Sequence, residues 1–423
     1  MKPALLKILA IVLIGALVFL GGWLLYHGGW EKLKEDWTGK YRERPNPSRG
    51  ALALGPDGYY WGVTSDSTEM PGYLYKMKAD GSGWRIVHTF LHNESPISGI
   101  YPEGSLVSDG VDSLLGTTVH SVHSSGFGTL YKVNATTGVL TTLMEFKGKS
   151  GSEKGSGPCA TLVHDGMGSF WGSTRSGGTN HSGTIFKYSL ATGVLTTVAD
   201  ITTSAPLGFI SFGPSDALAS DGHGYLWGIT CDGGKENGGT VFKVHESTGE
   251  LTVLREFNDA KGGQLPVGGL VSDDRGFLWG TCSEGGKFGG TIFKVNATTG
   301  ALTTVVEFTD VGGSNPGNGP RTALVGDGHG FLWGSTLLGG RGKVGTIFKV
   351  DIASGVLTTV MDFGISGPTH KGYFPQGTLV IDGHGAFLGN TLAGGAKNAG
   401  TIFKIDIATG VLTTLVEFGK VGP

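Results

Sequence analysis

Histidine is the residue type in this chain that is best suited to bind a metal ion. Three histidines lie in Asp-Gly-His-Gly turns, at His223, His329 and His384. Neutral imidazole is a common zinc ligand, so these three side chains are the candidates for metal binding. They fall in three different copies of an internal repeat, and turns tolerate many residue types. We therefore expect exposed turn histidines, with a shared metal ion as the less favoured interpretation.

Aspartate and lysine each recur at one position of the repeat. The aspartates are Asp109, Asp165, Asp221, Asp273, Asp327 and Asp382, and the lysines are Lys76, Lys132, Lys187, Lys243, Lys294, Lys349 and Lys404. An aspartate in a tight turn is expected to accept hydrogen bonds from its own backbone. A lysine that follows an aromatic residue is expected to bury its stem and to pair or expose its ammonium group. A catalytic lysine would be unique, so both sets are interpreted as structural.

The cysteines suggest no further site, and the sequence contains no known catalytic motif. Cys159, Cys231 and Cys282 are far apart, form no CxxC pair and cannot build a disulfide framework, so we expect small buried residues. The chain contains no HExxH, no GxSxG and no EF-hand loop. We accordingly assign no catalytic residue and no cofactor.

The elements that position these residues belong to an internal repeat of the sequence. A Trp-Gly or Leu-Gly step recurs every 52 to 56 residues, at Trp61, Leu115, Trp171, Trp227, Trp279, Trp333 and Leu388. Each unit has four short apolar segments, separated by an Asp-Gly turn, a Gly-Gly loop and a Thr-Gly or Ser-Gly turn. Such pairs supply the positive φ angles of tight hairpins, so each segment is predicted to be a strand.

Seven units of four antiparallel strands predict an all-β protein, a seven-bladed β-propeller over residues 50–423. A linear solenoid is the alternative. Proline precedes the first strand of six units, at Pro102, Pro158, Pro214, Pro266, Pro320 and Pro375, where no ladder donor is needed. No strand remains after Phe418, so we expect the ring to close by packing the first blade on the seventh, aided by residues 41–49.

Written out, the unit is P-x-x-x-L-x-x-D-G-x-G-x-x-x-G-x-T, then G-G, then G-T-I-F-K-V, then T-G-x-L-T-T-x-x-x-F. It resembles the GloVer (Gloeo/Verruco) tandem repeat over residues 50–420, most closely in the third to seventh units. That resemblance implies a propeller-like body and an extracytoplasmic, surface or exported bacterial protein, and it transfers no catalytic residue. The chain departs from the family's pattern in having an amino-terminal apolar segment instead of a carboxyl-terminal sorting tail.

The amino terminus predicts a single transmembrane helix ahead of the propeller. Residues 8–30 contain no Asp, Glu, Lys or Arg and would span about 34 Å as a helix, enough for a bilayer core. Trp23, Tyr26, Trp30 and Trp37 cluster at one end, as aromatic residues do at a membrane interface. We assign residues 1–30 to a retained signal anchor and residues 31–49 to a basic linker. A cleaved signal peptide is the alternative.

The net charge of −3 is unevenly distributed. Residues 1–49 carry eight Lys or Arg against four acidic residues, and the rest of the chain is mildly acidic. A body without a basic face is a poor nucleic-acid binder, whereas the basic neck suits lipid headgroups. The loop charges alone would place the body in the cytoplasm. The signal-like layout and the family resemblance instead predict an extracytoplasmic propeller, and the sequence leaves the sidedness open.

These observations favour a non-enzymatic, membrane-anchored propeller that serves as a protein-interaction or scaffold module, alone or as an accessory subunit of a membrane complex. Its expected partners are membrane lipid, through residues 8–30, and a protein. Binding would use the variable linkers at residues 91–103, 147–158, 202–215 and 364–376, since loops on a rigid scaffold carry recognition. The alternative is a glycan-acting hydrolase or lyase with its site at the propeller mouth. Glycine or apolar residues around the channel would favour the scaffold, and convergent carboxylates or histidines would favour the enzyme.

Overall fold

The computed structural model describes residues 46–47, 50–65, 72–91, 99–121, 126–149, 151, 153–201, 217–257, 262–287, 289–364 and 372–419. Within these ranges the chain forms strands, turns and loops, and none of the described residues is helical. Accordingly, no described segment is a helix that could cross a membrane. The predicted anchor at residues 8–30 and its interface residues Trp23, Tyr26, Trp30 and Trp37 lie outside the described residues.

The strands group into seven sheets in chain order, which confirms the predicted seven-bladed all-β propeller. The strands of blades 1 to 4 are Asn46–Pro47, Ala53–Leu54, Tyr60–Ser65, Gly72–Met77 and Arg85–Phe90; Ile100–Pro102, Val107–Ser108, Ser113–His120, Thr129–Asn134 and Leu140–Glu145; Val163–His164, Ser169–Thr174, Thr184–Ser189 and Val194–Asp200; and Ala219–Ser220, Tyr225–Thr230, Thr240–His245 and Leu251–Glu256. Those of blades 5 to 7 are Gln264–Ser272, Phe277–Glu284, Thr291–Asn296 and Leu302–Glu307; Asn318–Pro320, Val325–Gly326, Phe331–Leu338, Thr346–Asp351 and Leu357–Asp362; and Tyr373–Ile381, Ala386–Ala393, Thr401–Asp406 and Leu412–Glu417.

Each blade is a four-stranded antiparallel sheet, in which the first strand pairs with the second, the second with the third and the third with the fourth. In blades 1, 2 and 6 the first strand is interrupted, so that two short pieces pair with the second strand. In blade 1 the earlier piece is Asn46–Pro47, at the end of the predicted linker, and Pro47 lies opposite Thr64. Pro102 lies opposite Thr118 in the same way, so Pro47 is the equivalent that the first repeat lacked.

Antiparallel order places the connections alternately at two ends of each blade. The Asp-Gly turn after the first strand and the Thr-Gly turn after the third lie at one end, which we call the turn face. The loop after the second strand and the linker to the next blade lie at the other end, the linker face. A backbone bond from Ile352 N to Gly330 O, 3.0 Å long, joins the two turns of blade 6 at the turn face.

The Trp-Gly step of the second strand is explained by packing within the blade. Trp333 is fully buried, and Gly334 lies opposite Phe348 of the third strand. A methyl group on Gly334 would stand only 2.7 Å from the Phe348 ring, so glycine makes room for that ring. Glycine therefore follows tryptophan in the sequence because an aromatic ring of the third strand fills the space beside it.

The hydrophobic core consists of seven clusters, one between each pair of adjacent blades. The cluster between blades 5 and 6 joins Trp279, Ile292 and Phe308 to Leu332 and Phe348. Blades 6 and 7 share the cluster around Trp333 and Phe403 in the same way. Because a single blade has no closed core of its own, its stability depends on both neighbours.

Ring closure uses the same contacts as the other interfaces. Leu52, Tyr75 and Met77 of blade 1 pack with Leu388 and Phe418 of blade 7 in one buried cluster. A methyl group on Gly81 would lie 2.9 Å from Leu415 O. Its equivalent on Gly410 would lie 2.8 Å from the Val360 side chain of blade 6, at a regular interface. The ring thus closes by face packing of blade 1 on blade 7, as predicted.

Candidate functional site

The turn face is built from a recurring group of aspartate, tryptophan and lysine. In blade 6, Asp327 Oδ1 accepts hydrogen bonds from the His329 and Phe331 backbone at 2.7 and 3.2 Å. Its Oδ2 accepts the Trp333 indole N–H at 3.0 Å. Equivalent indole bonds, 3.1 Å long, run from Trp227 to Asp221 and from Trp279 to Asp273. The recurring aspartate accepts hydrogen bonds from its own turn, as the sequence predicted, and in these three blades it also accepts the indole N–H of the second strand.

Several of the recurring lysines lie over an aromatic side chain of the second strand. Lys349 Nζ is 4.6 Å from the Phe331 ring centroid, and Lys243 Nζ is 4.5 Å from that of Tyr225. The ammonium group of Lys404 forms an ion pair with Asp382 at 2.7 Å. Either cation–π attraction or pairing to the turn aspartate thus holds each of these three ammonium groups, which supports a structural role for them.

Blade 1 contains the most buried example of this group. Lys76 is 3% exposed and its Nζ lies 2.7 Å from both Asp57 Oδ2 and the Ala135 carbonyl of blade 2. Trp61 donates its indole N–H to Asp57 Oδ1 at 3.0 Å. Asp57 stands two positions closer to the tryptophan than in the other blades, yet it makes the same contacts. This buried ammonium group links two blades.

Two of the turn aspartates, Asp57 and Asp382, have a pKa below the usual range. Burial alone would raise the pKa of Asp57, but hydrogen bonds from Lys76 and Trp61 outweigh it and keep the pKa below its usual range. For Asp382, burial is likewise outweighed by Lys404 and by the Ala386 and His384 backbone, so its pKa is also lowered. A general acid needs a raised pKa, so these carboxylates are not suited to protonate a leaving group at neutral pH.

The three candidate histidines are exposed at the turn face of three different blades. The backbone N–H of His223, His329 and His384 each donates to the aspartate two residues earlier, at 2.7 Å. The structure brings none of these rings together. Across the described residues, no group of three or more His, Cys, Asp or Glu side chains could hold a metal ion.

Small residues next to several of the first strands bond from one blade to the next. Ala51 N donates to Ser105 Oγ at 2.6 Å, and Ser105 N donates to Thr161 Oγ1 at 3.2 Å, which links blades 1, 2 and 3. On the other side of the ring, Ala323 N donates to Thr378 Oγ1 at 3.2 Å. The innermost strands of a propeller surround its channel. The described part of the channel wall therefore includes Ala, Ser and Thr residues that bond from blade to blade.

One charged group stands at the linker-face mouth of this wall. Arg175 Nη2 lies 3.3 Å from Glu103 Oε2, and both side chains are 30% exposed. Burial opposes the charge on Arg175, but Cys159 and Glu103, which both accept its hydrogen bonds, raise its pKa. The opposite charges of Arg175 and Glu103 compensate each other. The group thus offers hydrogen-bond donors and acceptors in a half-buried position.

This group was not predicted from the sequence. Cys159 is half-buried rather than buried, as is Cys231, and only Cys282 among the three cysteines is fully buried. Glu103 and Cys159 each directly follow the strand-entry proline of consecutive repeats, and Arg175 comes four residues after Trp171. An alignment of the repeats would have shown that the residue after the strand-entry proline and the residue four positions after the tryptophan both lie at the linker face.

A groove lies at the outer side of blade 6, on the linker face. It has a volume of about 410 Å³ and is lined by Val311, Pro316, Arg341, Met361 and Asp362, among others. The Arg341 backbone N–H donates to Asp362 Oδ1 at 3.1 Å. The Asp362 side chain is thereby used to fix the loop that forms one wall of the groove.

Comparison with known protein families and structures is consistent with this geometry. A sequence model of the Gloeobacter/Verrucomicrobia repeat matches residues 36–209, 154–320 and 213–422. No curated protein is similar enough in sequence to match the chain.

Several solved structures share the fold at low sequence identity. A puromycin hydrolase is 14% identical with a TM-score of 0.54, and the match covers 90% of this chain but only 55% of the hydrolase. An oligogalacturonate lyase in complex with manganese is 14% identical, with a TM-score of 0.50 and coverage of 86% and 85%. A Bacteroides fragilis protein with the provisional name 6-phosphogluconolactonase is 20% identical, with a TM-score of 0.51 and coverage of 90% and 96%. At these identities the likeness extends to the fold alone.

Proposed function

The chain belongs to the Gloeobacter/Verrucomicrobia repeat family, and on that basis we propose that it is a membrane-anchored recognition propeller that binds a protein partner through its linker face. In this proposal residues 1–30 hold the chain in the membrane, residues 31–49 form a basic neck, and the propeller lies on the extracytoplasmic side. The protein acts alone or as an accessory subunit of a membrane complex, without catalysing a reaction of its own.

The observation that carries the proposal is the way in which the described carboxylates are used. The aspartates with shifted pKa values all have them lowered, including Asp57, Asp165 and Asp382, and all hydrogen-bond to their own turns. Hydrolysis or elimination on a glycan needs an acid and a base that converge on one bond, often with one pKa raised. A ring of carboxylates that are spread over separate turns supports a structural role for them.

The channel supports the same interpretation. Small residues in its described part bond to the neighbouring blade, such as Ala51 to Ser105. A rigid ring of this kind holds the linker-face loops in fixed relative positions, which lowers the entropic cost of binding a large partner. The amino-acid sequence differs between blades mainly in the linker-face loops, whereas the turn-face groups repeat almost unchanged.

The test uses the full chain in native membranes, with a photo-cross-linking residue placed at one position at a time. Phe127 and Arg321 sample the linker face, and Met167 and Val111, which are 82% and 79% exposed, sample the turn face as matched controls. We expect one stoichiometric polypeptide adduct from the linker-face positions and none from the turn-face positions. Adducts from the turn face alone would contradict the choice of face.

Detergent extraction and an alkaline carbonate wash test the rest of the proposal. We expect the chain to stay in the membrane pellet after the wash and to elute from gentle detergent with a companion protein. Release by carbonate would overturn the anchor. Elution as a lone monomer, together with cleavage of a polysaccharide by the purified full chain, would overturn the scaffold role in favour of a glycan-acting enzyme.

A further inference from the structure

The groove at the outer side of blade 6 has a counterpart in blade 3. In blade 6 a backbone bridge closes residues 310–317 into a loop, and Gly340 N donates a hydrogen bond into that loop at 2.8 Å. In blade 3 the same kind of bridge closes residues 148–155, and Gly178 N donates into the loop at 3.0 Å. The two sites share one backbone arrangement, so their side chains can be compared position by position.

In blade 3 the side chains of this site compensate each other. The Asp200 carboxylate accepts the backbone N–H of Thr179 at 3.0 Å and the Thr179 hydroxyl at 2.8 Å. Lys154, from the linker loop, forms an ion pair with the same carboxylate, with Nζ 3.6 Å from Oδ2. The negative charge of Asp200 is therefore balanced by an ammonium group of the same chain.

In blade 6 both of the residues that pair with the carboxylate are replaced. Pro316 stands at the position of Lys154, and Arg341 stands at that of Thr179. Asp362, the counterpart of the blade 3 aspartate, accepts the Arg341 backbone N–H at 3.1 Å through Oδ1. Within the part of the chain that the structure describes, neither the Asp362 carboxylate nor the Arg341 guanidinium forms an ion pair. The groove thus contains one negative and one positive charge that are both uncompensated.

The rest of the groove suits the apolar body of a small ligand. Its volume of about 410 Å³ lies in the range of small-molecule sites, and two apolar amino-acid residues would fill it better than one. Val311 and Pro316 contribute apolar surface to the lining. The linker loop is held in place without a ligand, because Asn315 Nδ2 donates to the Glu307 carbonyl at 3.2 Å. A site that is already formed has little ordering cost to meet on binding.

We propose that this groove is a binding site for a zwitterionic dipeptide with apolar side chains. The α-ammonium group of the ligand lies beside Asp362, at the position that the Lys154 ammonium occupies in blade 3. The α-carboxylate accepts hydrogen bonds from the Arg341 guanidinium, whose planar fork matches a carboxylate. The apolar side chains cover Val311 and Pro316. This site is additional to the recognition role proposed above and does not depend on it.

The test measures binding of leucyl-leucine to the full chain, purified in detergent, by isothermal titration calorimetry. Two related probes each lack one charge, since N-acetyl-leucyl-leucine has no ammonium group and leucyl-leucinamide has no carboxylate. We expect a dissociation constant on the order of 0.1 mM for leucyl-leucine, as is usual for a ligand of this size. Each derivative should bind about tenfold more weakly, because it leaves one charge of the groove unpaired.

Two variants remove the same charges from the protein. Arg341→Met should weaken the binding of leucyl-leucine about tenfold and leave that of leucyl-leucinamide unchanged, because the amide has no carboxylate to lose. Asp362→Asn keeps the Oδ1 acceptor for the loop, and it should weaken leucyl-leucine but not its N-acetyl derivative. Lys235→Met is the matched control, because Lys235 stands at the same loop position in blade 4, with its N–H 3.3 Å from Glu256 Oε2. That variant should bind like the wild type.

A third variant, Pro316→Lys, introduces the lysine of blade 3 into blade 6. Its ammonium group should compete with the ligand for Asp362 and weaken the binding of leucyl-leucine about tenfold. All variants should melt within about 2 °C of the wild type, since Arg341 is exposed and the loop keeps its backbone bonds. If one of them melts much lower, the others still decide the result.

Two results would overturn the assignment. One is the absence of binding by the wild type at ligand concentrations up to about 10 mM. The other is a loss in Arg341→Met or Asp362→Asn that is the same for all three probes, because the charges of the ligand would then not be what the groove recognises. Neither result bears on the protein-recognition role of the linker face, which the cross-linking experiment tests separately.

Discussion

The turn face and the linker face of this propeller use the same kinds of residue in opposite ways. At the turn face, polar groups bond within the blade or to its neighbour, as Asp327 does to the Trp333 indole at 3.0 Å. At the linker face, the backbone bonds repeat from blade to blade while the side chains differ. The left-handed residue before the strand-entry proline is Gly157 in blade 3 and Phe374 in blade 7.

This contrast separates what holds the ring together from what is free to differ. A side chain that satisfies a buried polar group cannot change without leaving a partner unpaired. A side chain that only extends from a backbone-bonded position can change with little effect on the fold. The turn face is therefore expected to be sensitive to substitution, and the linker face to be sensitive only where glycine is sterically required.

The largest effect is expected at Asp57. Replacing it by asparagine, Asp57→Asn, leaves the buried ammonium of Lys76 without its counter-ion and should lower the free energy of unfolding by about 3 kcal/mol. Adding Lys76→Met to that variant should restore most of the loss. Asp80→Asn, at an exposed turn, is the control and should lower stability much less than Asp57→Asn does. Denaturant unfolding followed by circular dichroism measures all three, and a small effect at Asp57 would show that Lys76 reaches water.

A slightly smaller effect is expected for Trp333→Leu, which tests whether the indole bond or the ring volume matters more. Blades 2 and 7 already have leucine at this position, at Leu115 and Leu388. The substitution removes the hydrogen bond to Asp327 and leaves a cavity between blades 6 and 7, so we expect a loss of about 2 to 3 kcal/mol. Trp333→Phe, which keeps more of the volume, should lose less, and equal losses would assign the effect to the bond alone.

The linker face should be sensitive at Gly345. A methyl group there would lie 2.5 Å from Pro375 Cδ, and φ is 109°, so Gly345→Ala should cost about 2 kcal/mol. Gly166→Ala at the turn face is the control, since its φ is 72° but nothing lies within 4 Å of the added methyl group. That variant should cost about 1 kcal/mol. If the two melting temperatures fall equally, backbone strain alone explains both results.

The smallest effect concerns pH and the Lys404–Asp382 pair. The folded pKa of Asp382 is lowered, so its contribution to stability is present above the unfolded pKa of about 4 and is lost as the pH falls through the folded pKa. Lys404→Met should reduce stability by about 1 kcal/mol at pH 7, and the difference should shrink as the pH falls through the folded pKa of Asp382. Lys287→Met, at an exposed loop, should be without effect across the same pH series. A difference that stays constant as the pH is lowered until Asp382 is protonated would rule out the ion pair as its cause.

Much of the fold could be predicted because it is local. The Asp-Gly and Thr-Gly pairs define hairpin turns, and the interval between Trp-Gly steps defines a blade, so seven four-stranded blades follow from the order of residues. The backbone hydrogen bonds of the turn aspartates were predicted for the same reason, whereas the cation–π contacts of the lysines were not. The three histidines were expected in exposed turns, and the structure places them there.

The candidate site could not be predicted to the same extent, because its members are distant in the sequence. Arg175 and Glu103 are 72 residues apart and come from different blades. Nothing in either local sequence indicates that partner. The left-handed backbone angles at Tyr101, Leu265 and Phe374 were also missed, since residues before proline ordinarily favour extended backbone.

The sequence by itself determined the blade, because strand, turn and glycine spacing act between neighbours along the chain. Only the tertiary structure decided how blades meet: that Pro47 completes the first blade, that Gly81 packs on Leu415 to close the ring, and that four described linkers bond to the blade before them. Those contacts depend on the curvature of the whole ring. A residue's partner across an interface is therefore set by the number of blades and their tilt, which no single repeat encodes.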